Sequence, residues 1–327
     1  MTLSLGMIGA GWIAREHVAS IAALDGAELE AVADLDAGRA EELAAAAGAT
    51  AYTDWGAMLD AETLDAVVVC TPPLHHRDPC LAAIERGLGV YLEKPVARTT
   101  EDARAIAAAA QGAVVAVGYQ YRAIDFLPDL RAAAQDDPPG LLASYSVGAT
   151  AGRPWFVHQA EGGGQVLERA SHHIDLQCAI AGEVEWVQAA GARVDLAGAD
   201  RPQGSDIEDV ISLSLGFRSG ALGTVLCAWT SPELPSAYTL DIVSARSSVH
   251  VELDPAFTAR GTRSGADVSL ALGMAPIQRG MERFLEAVRA GDPSLVACPV
   301  AAAAASLDVA LACERALATG ARVTVEG

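Results

Sequence analysis

Leu3-Ser4-Leu5-Gly6-Met7-Ile8-Gly9-Ala10-Gly11-Trp12-Ile13-Ala14 opens the chain with a short apolar run that passes through two glycines into a helical pattern. The spacing is G-x-G-x-x-A. After a strand and before a helix, the first glycine permits a tight turn and the second lets backbone N–H groups approach a pyrophosphate. A small third residue lets the helix close on the strand. The next apolar run, Leu29–Ala33, ends on Asp34, where a carboxylate can accept hydrogen bonds from ribose hydroxyls. Gly9, Gly11, Trp12, Ile13 and Asp34 are therefore the expected dinucleotide contacts. A carboxylate at Asp34 repels a 2′-phosphate, and Ala33-Asp34-Leu35-Asp36 holds no Lys or Arg, so NAD is expected rather than NADP.

Outward from that stretch, apolar runs alternate with alanine-rich helical segments as far as Tyr119: LSLGMI, LEAVA, AVVVC, VYLE and AVVAVGY are each followed or separated by helix-like sequence. That rhythm implies parallel strands joined by crossover helices, and runs without alternation suit strands buried on both faces. The rhythm breaks after Arg122. A helix near 126–135 leads to Asp136-Asp137-Pro138-Pro139-Gly140, which cannot continue helix. Strands are then expected at 141–150, 184–195, 208–217, 221–229, 237–244 and 247–253, several joined by tight turns, with helices at 165–181, 277–290 and 302–319. The expected fold class is α/β: a doubly wound parallel sheet over 1–122, then an α+β domain over 123–327 built on an open, mainly antiparallel sheet.

The chain has 327 residues, a formal charge of -20 and 51% hydrophobic residues. Such a length favours two domains, and such a composition excludes disorder. The charge disfavours nucleic acid as a partner. No apolar stretch long enough to span a membrane and no basic leader is apparent, so a cytoplasmic location is expected. The six cysteines are scattered without metal-ligand spacing, which implies reduced thiols and no metal centre.

Three segments carry chemistry. Thr71-Pro72-Pro73 ends a strand where ligands bind in open α/β sheets; Thr71, Pro72 and His76 either meet the cofactor or form a rigid turn capping the next helix. Tyr91-Leu92-Glu93-Lys94-Pro95 delivers an acid and a lysine to a strand end, a place where burial implies a partner or a purpose. Gly162-Gly163-Gly164 opens a helix bearing Glu168, His172 and Asp175; on α-helical spacing Glu168 and His172 share a face, as do His172 and Asp175. A histidine held by a carboxylate is a competent general base near neutral pH. Tyr121, Arg122, Trp155 and His158 are candidate substrate contacts, whereas His17, His173 and His250 are assigned to packing or surface.

Together these segments resemble the glucose-fructose oxidoreductase, inositol dehydrogenase and rhizopine catabolism group, the Gfo/Idh/MocA oxidoreductases. The landmarks run along essentially the whole chain: Gly9–Ala14, Thr71-Pro72-Pro73, Glu93-Lys94-Pro95, Gly118–Arg122, Arg153-Pro154-Trp155 and the glycine-led helix ending in His172-x-x-Asp175. The resemblance implies a Rossmann domain, a second domain whose open sheet forms a homodimer or homotetramer interface, and a cis Lys94–Pro95 bond. It implies that a lysine-histidine pair from the two halves does the chemistry: Lys94 contacts the reacting hydroxyl and His172 is the general acid or base. Glu93 and Lys94 lie among the cofactor contacts, and Arg122 and Trp155 among those to substrate. The residue four before the histidine is usually Asp in that group and is Glu168 here, which puts its role in orienting substrate or histidine in question. The implied activity is hydride transfer between NAD and a CH–OH group of a sugar, cyclitol or related polyol. An NAD-dependent glycosidase with transient redox and a catalytically silent nucleotide-binding sensor are the alternatives.

Overall fold

The computed structural model describes residues 2–149, 157–194, 196, 204–254, 256–271 and 273–326. In chain order the first elements are β1 (Leu3–Ile8), α1 (Trp12–Ala22), β2 (Ala27–Ala33), α2 (Ala37–Ala47), β3 (Thr50–Tyr52), α3 (Trp55–Ala61), β4 (Ala66–Val69), α4 (Arg77–Glu85), β5 (Gly89–Leu92), α5 (Thr100–Ala109) and β6 (Val115–Val117). The strands pair in parallel in the order β3-β2-β1-β4-β5-β6. Strand order reverses between β1 and β4, so the carboxyl ends of β1, β2, β4 and β5 surround the switch point where such sheets bind ligands. The apolar runs become these strands because Leu5, Met7, Val32, Val68 and Leu92 are enclosed on both faces. Helix starts follow local chemistry: Asp36 caps α2 by accepting from the Arg39 N–H, and Thr99 caps α5 by accepting from Asp102.

The remaining elements are α6 (Leu127–Asp136), β7 (Pro139–Ala149), α7 (Gln159–Gly162), α8 (Ser171–Ala181), β8 (Val184–Ala192), β9 (Val210–Phe217), β10 (Leu222–Thr230), β11 (Ala237–Ser244), β12 (Ser247–Asp254), β13 (Thr258–Arg263), β14 (Ala266–Ala271), α9 (Pro276–Ala290), α10 (Val300–Thr319) and β15 (Val323–Thr324). Among the described residues the second sheet runs β14-β13-β12-β11-β7-β10-β9-β8-β15, antiparallel except where β7 lies parallel to β10. Helix α8 covers one face, and the Gln177 amide donates to Ser144 Oγ on β7 and to the Thr224 carbonyl on β10, each at 2.9 Å.

Two expectations need correction. The chain forms two compact units, Met1–Ala123 with Met274–Ala304, and Ile124–Gly273 with Ala305–Gly327, so the boundary of 123–327 for the second domain does not hold. The cause is apolar packing: Met281, Phe284 and Leu285 of α9 join the core made by Leu5, Met7, Val68 and Tyr91. A sequence read as linear blocks gives no sign of that return. Strands β3, β13, β14 and β15 were also unforeseen. β13 carries Arg260-Gly261-Thr262-Arg263 with no apolar run, and the edge strand β14 buries none of its residues fully, so neither stands out as a core strand. The strand expected at 184–195 stops at Ala192.

Candidate functional site

In the first unit the strand-to-helix turn has the geometry of a nucleotide cradle. Gly9 sits at φ +96°, and a Cβ there would lie 2.8 Å from the Cys70 carbonyl, so only glycine allows the turn to approach the end of β4. A Cβ on Gly11 would meet nothing within 4 Å, leaving open space above a helix N-terminus that has no side-chain cap. An anionic pyrophosphate fits that exposed, positively polarised end. Trp12 and Ile13 form the first turn of α1, with Trp12 largely exposed.

Asp34 stands at the end of β2 and is already engaged. Its Oδ2 accepts from the Ala10 N–H at 2.7 Å, and its Oδ1 accepts from the Asp36 N–H at 2.9 Å and from Arg39 Nη2 at 3.0 Å. The first bond ties the carboxylate to the glycine turn, as a shared nucleotide site requires. Arg39 also reaches Asp36 at 3.5 Å. The expectation that no basic residue lies beside Asp34 is therefore wrong in space though right in sequence. The capped start of α2 folds Arg39 back over the strand end.

At the end of β4, Thr71 Oγ1 donates to the His75 carbonyl, and Pro72 leads into the 3-10 turn Pro73–His75. His76 is fully buried, with Nδ1 2.9 Å from the Pro95 carbonyl and Nε2 2.8 Å from the Thr71 carbonyl. Burial pushes its pKa down against the pull of those carbonyls and of Glu93. His76 thus joins the two turns through both ring nitrogens.

The Glu93-Lys94-Pro95 segment leaves β5 with a cis Lys94–Pro95 bond. Glu93 is turned inward and buried; its Oε1 lies 2.7 Å from His17 Nε2, and its Oε2 accepts from the Lys94 N–H at 3.1 Å. Burial favours the neutral acid, but His17 and Lys94 outweigh it and hold Glu93 below the usual carboxylate range. Glu93 therefore braces the strand end from inside. His17, assigned to simple packing, is its partner. One signal was available: His17 falls with Ala14 and Ile21 on the buried stripe of α1, where a titratable ring needs a partner. Lys94 itself is half-buried, and it is the single lysine in the chain, every other one of the 22 basic residues being arginine.

In the second unit, Val166–Ala170 forms a π turn directly before α8, with the Ser171 N–H bonded to the Val166 carbonyl. Glu168 is buried in that turn, and His172 is half-buried on the first turn of α8. Glu168 and His172, four positions apart, span the junction of the π turn and α8; such turns recur at functional sites. The turn is tied to the sheet by buried Arg169, which donates to the carbonyls of Gly148 and Ala149 on β7 and Ala228 on β10. Asp175 is fully buried and accepts from Ser306 Oγ at 2.7 Å. Tyr121 is buried and Arg122 half-buried on the 3-10 turn Gln120–Ala123 of the first unit. Trp155, with Arg153 and Pro154, lies outside the described residues. Among the described residues no helix is long and apolar enough to cross a membrane. The six cysteines are free thiols; burial raises Cys80 and Cys227 to about 12.

Residues 3–121 match the family profile described as an oxidoreductase family with an NAD-binding Rossmann fold, and residues 140–261 match the GFO/IDH/MocA C-terminal domain. The chain is 29% identical over 247 residues to D-apiose dehydrogenase of Paraburkholderia graminis, covering 72% of this chain but only 63% of that protein. It is 31% identical over 228 residues to the rhizopine catabolism protein MocA of Rhizobium meliloti, covering 68% and 69% of the two chains. The structure of levoglucosan dehydrogenase in complex with NADH superposes with a TM-score of 0.86 at 19% identity over the full length of both chains. With both profiles in order along it and MocA aligned over two thirds of each sequence, the chain belongs to the Gfo/Idh/MocA family.

Proposed function

We propose that this protein is an NAD-dependent dehydrogenase transferring a hydride between NAD and a CH–OH group of a sugar, cyclitol or related polyol. One observation carries the reading: the sole lysine stands at the carboxyl end of β5, in the same sheet whose β1–α1 turn and β2 end are shaped for a dinucleotide. A chain that uses arginine for every other basic position has one site where the cation must be able to give up its proton, which arginine does not do. Relatives named for D-apiose and levoglucosan support the substrate class.

Gly9, Gly11, the first-turn N–H groups of Trp12 and Ile13, Asp34, Thr71 and Pro72 would hold the cofactor, which when bound supplies the hydride chemistry. Lys94 holds the reacting hydroxyl at Nζ and steadies the charge that develops on its oxygen. His172 takes the hydroxyl proton, with Glu168 orienting the imidazole or the substrate; Arg122 and Trp155 complete substrate binding. NAD is the preferred cofactor because Asp34 opposes a 2′-phosphate, with Arg39 moderating that preference. The protein is a cytoplasmic homo-oligomer joined through the second sheet, whose outer face carries Leu141, Tyr145, Leu222, Leu226 and Val243 exposed.

The test is a spectrophotometric screen for reduced cofactor across cyclitols, aldoses and anhydrosugars with NAD and NADP, repeated on Lys94→Ala and Lys94→Arg. Turnover by the wild type and a loss of about 10²-fold or more in both variants, with NADH affinity held within a few-fold, are expected. Glycoside cleavage without net NADH would replace the reading with a transient-redox glycosidase, and dinucleotide binding without turnover of any candidate would leave a sensor. Full activity in Lys94→Arg would remove the proton-handling role of Lys94.

A further inference from the structure

The pair formed by His17 and Glu93 lies within hydrogen-bond distance, deep in the first unit, and serves no step assigned above. His17 is 1% exposed. Its ring is fixed edge-on against Tyr91, with centroids 5.0 Å apart, and Tyr91 in turn meets Phe284 edge-on at 5.6 Å. Nδ1 has no hydrogen-bond partner among the described residues, so the ring acts through Nε2 alone, on Glu93 Oε1 at 2.7 Å. On the far side Gly118 makes the seat: a Cβ there would lie 2.7 Å from the same Oε1 and 3.1 Å from Oε2. The other oxygen receives the Lys94 backbone N–H. Cys70 at the end of β4, Tyr91 on β5 and His76 all feel the Glu93 charge as well, so the carboxylate is the electrostatic centre of the strand ends.

We propose that His17 is a positioning residue for Lys94: by clamping Glu93 it fixes the turn that presents the lysine and joins that turn to α1, the helix whose N-terminus bears the glycine cradle. A buried carboxylate that loses its one ring donor must either take up a proton, which weakens its bond from the Lys94 backbone N–H, or leave its seat, which releases that N–H. The inference rests on Lys94 being the proton-handling residue, yet its test needs no substrate.

Because Lys94 is the only lysine, acylation of its amine by acetic anhydride, scored by peptide mass spectrometry against the chain's α-amino group, reports on this one side chain in the full-length protein. Removing the clamp in His17→Leu is expected to raise Lys94 acylation about fivefold, the effect of one lost hydrogen bond. In His17→Gln the amide nitrogen takes the place of Nε2, so labelling should stay within about twofold of wild type. Gly118→Ala displaces Glu93 from the opposite side without touching His17 and should raise labelling as His17→Leu does, which keeps the test decisive if His17→Leu fails to fold. Unchanged labelling in a folded His17→Leu or Gly118→Ala, or equal labelling in His17→Gln and His17→Leu, would overturn the proposal. Failure of the polyol screen alongside the expected labelling pattern would instead count against the oxidoreductase reading alone.

Discussion

Asp34 shows how far a single residue can be read from sequence and where such reading stops. Its place at the end of β2 follows from the glycine turn and the apolar run before it, and there its Oδ2 accepts from the Ala10 N–H. Arg39 was invisible because it approaches through space, five positions on, only once Asp36 has capped α2. The same limit applies to His17 and Glu93, which are 76 positions apart and meet at 2.7 Å. The ion pair gives the cofactor preference a test. With Arg39 neutralising part of the Asp34 charge, Asp34→Ala should weaken NADH binding about tenfold through loss of the ribose acceptor and should free Arg39 to meet a 2′-phosphate. NADPH affinity, measured by fluorescence titration, is therefore expected to rise relative to NADH by tenfold or more. The double variant Asp34→Ala, Arg39→Ala should give back most of that gain. An NADH/NADPH ratio unaffected by either substitution would remove both residues from the specificity site.

Helix α8 and the π turn before it concentrate what was legible, and what was not, at the level of the element. A helix over 165–181 was readable from its apolar stripe, but the extra residue at Val166–Ala170 was not, since no residue type specifies a π turn. What holds it is tertiary: Arg169 reaching three sheet carbonyls, with its guanidinium over the Trp229 and Tyr238 rings at 6.0 and 5.7 Å. His173, the neighbour of the proposed base, is on the sheet side, buried and stacked on Tyr238. Burial, aided by the Arg169 charge, lowers its pKa from 6.5 to about 3. The consequence has a definite sign. The unfolded chain binds a proton at His173 below pH 6.5 while the folded chain stays neutral down to about pH 3, so stability falls as pH drops through that interval. Between pH 7 and pH 5 the loss should amount to about 2 kcal/mol from this ring. Denaturant unfolding of wild type and His173→Phe at the two pH values checks it: the variant, stable or not at neutral pH, should lose about 2 kcal/mol less on acidification. Equal losses would mean that His173 is charged in the folded protein.

At the scale of the whole molecule the second sheet poses a problem of exposure among the described residues. From Leu141 on, β7 alternates, Leu142, Ser144 and Ser146 inward beneath α8, Leu141 and Tyr145 outward. Register carries the outward row across neighbouring strands: Leu141 pairs with Leu222 on β10 and with Val243 on β11, and Tyr145 pairs with Leu226. Leu141 is 40%, Leu222 49% and Leu226 40% exposed, a contiguous apolar surface of the kind that marks an interface rather than scattered surface leucines. Alternation made the strands readable, and the resemblance to a family supplied the expectation that this face is covered by another copy. Nothing in the sequence alone named that occupant. A two-fold contact through the face would bring each apolar row against its symmetry mate, so a single charge placed centrally is doubled in the assembly. Leu222→Glu is accordingly expected to lower the mass measured by sedimentation velocity to that of one chain, while the same substitution at Leu35, more exposed and on the first unit, leaves the mass unchanged. An undiminished mass in Leu222→Glu would move the interface elsewhere, and a wild-type protein sedimenting as one chain would leave the outer row of the sheet without a partner of its own kind.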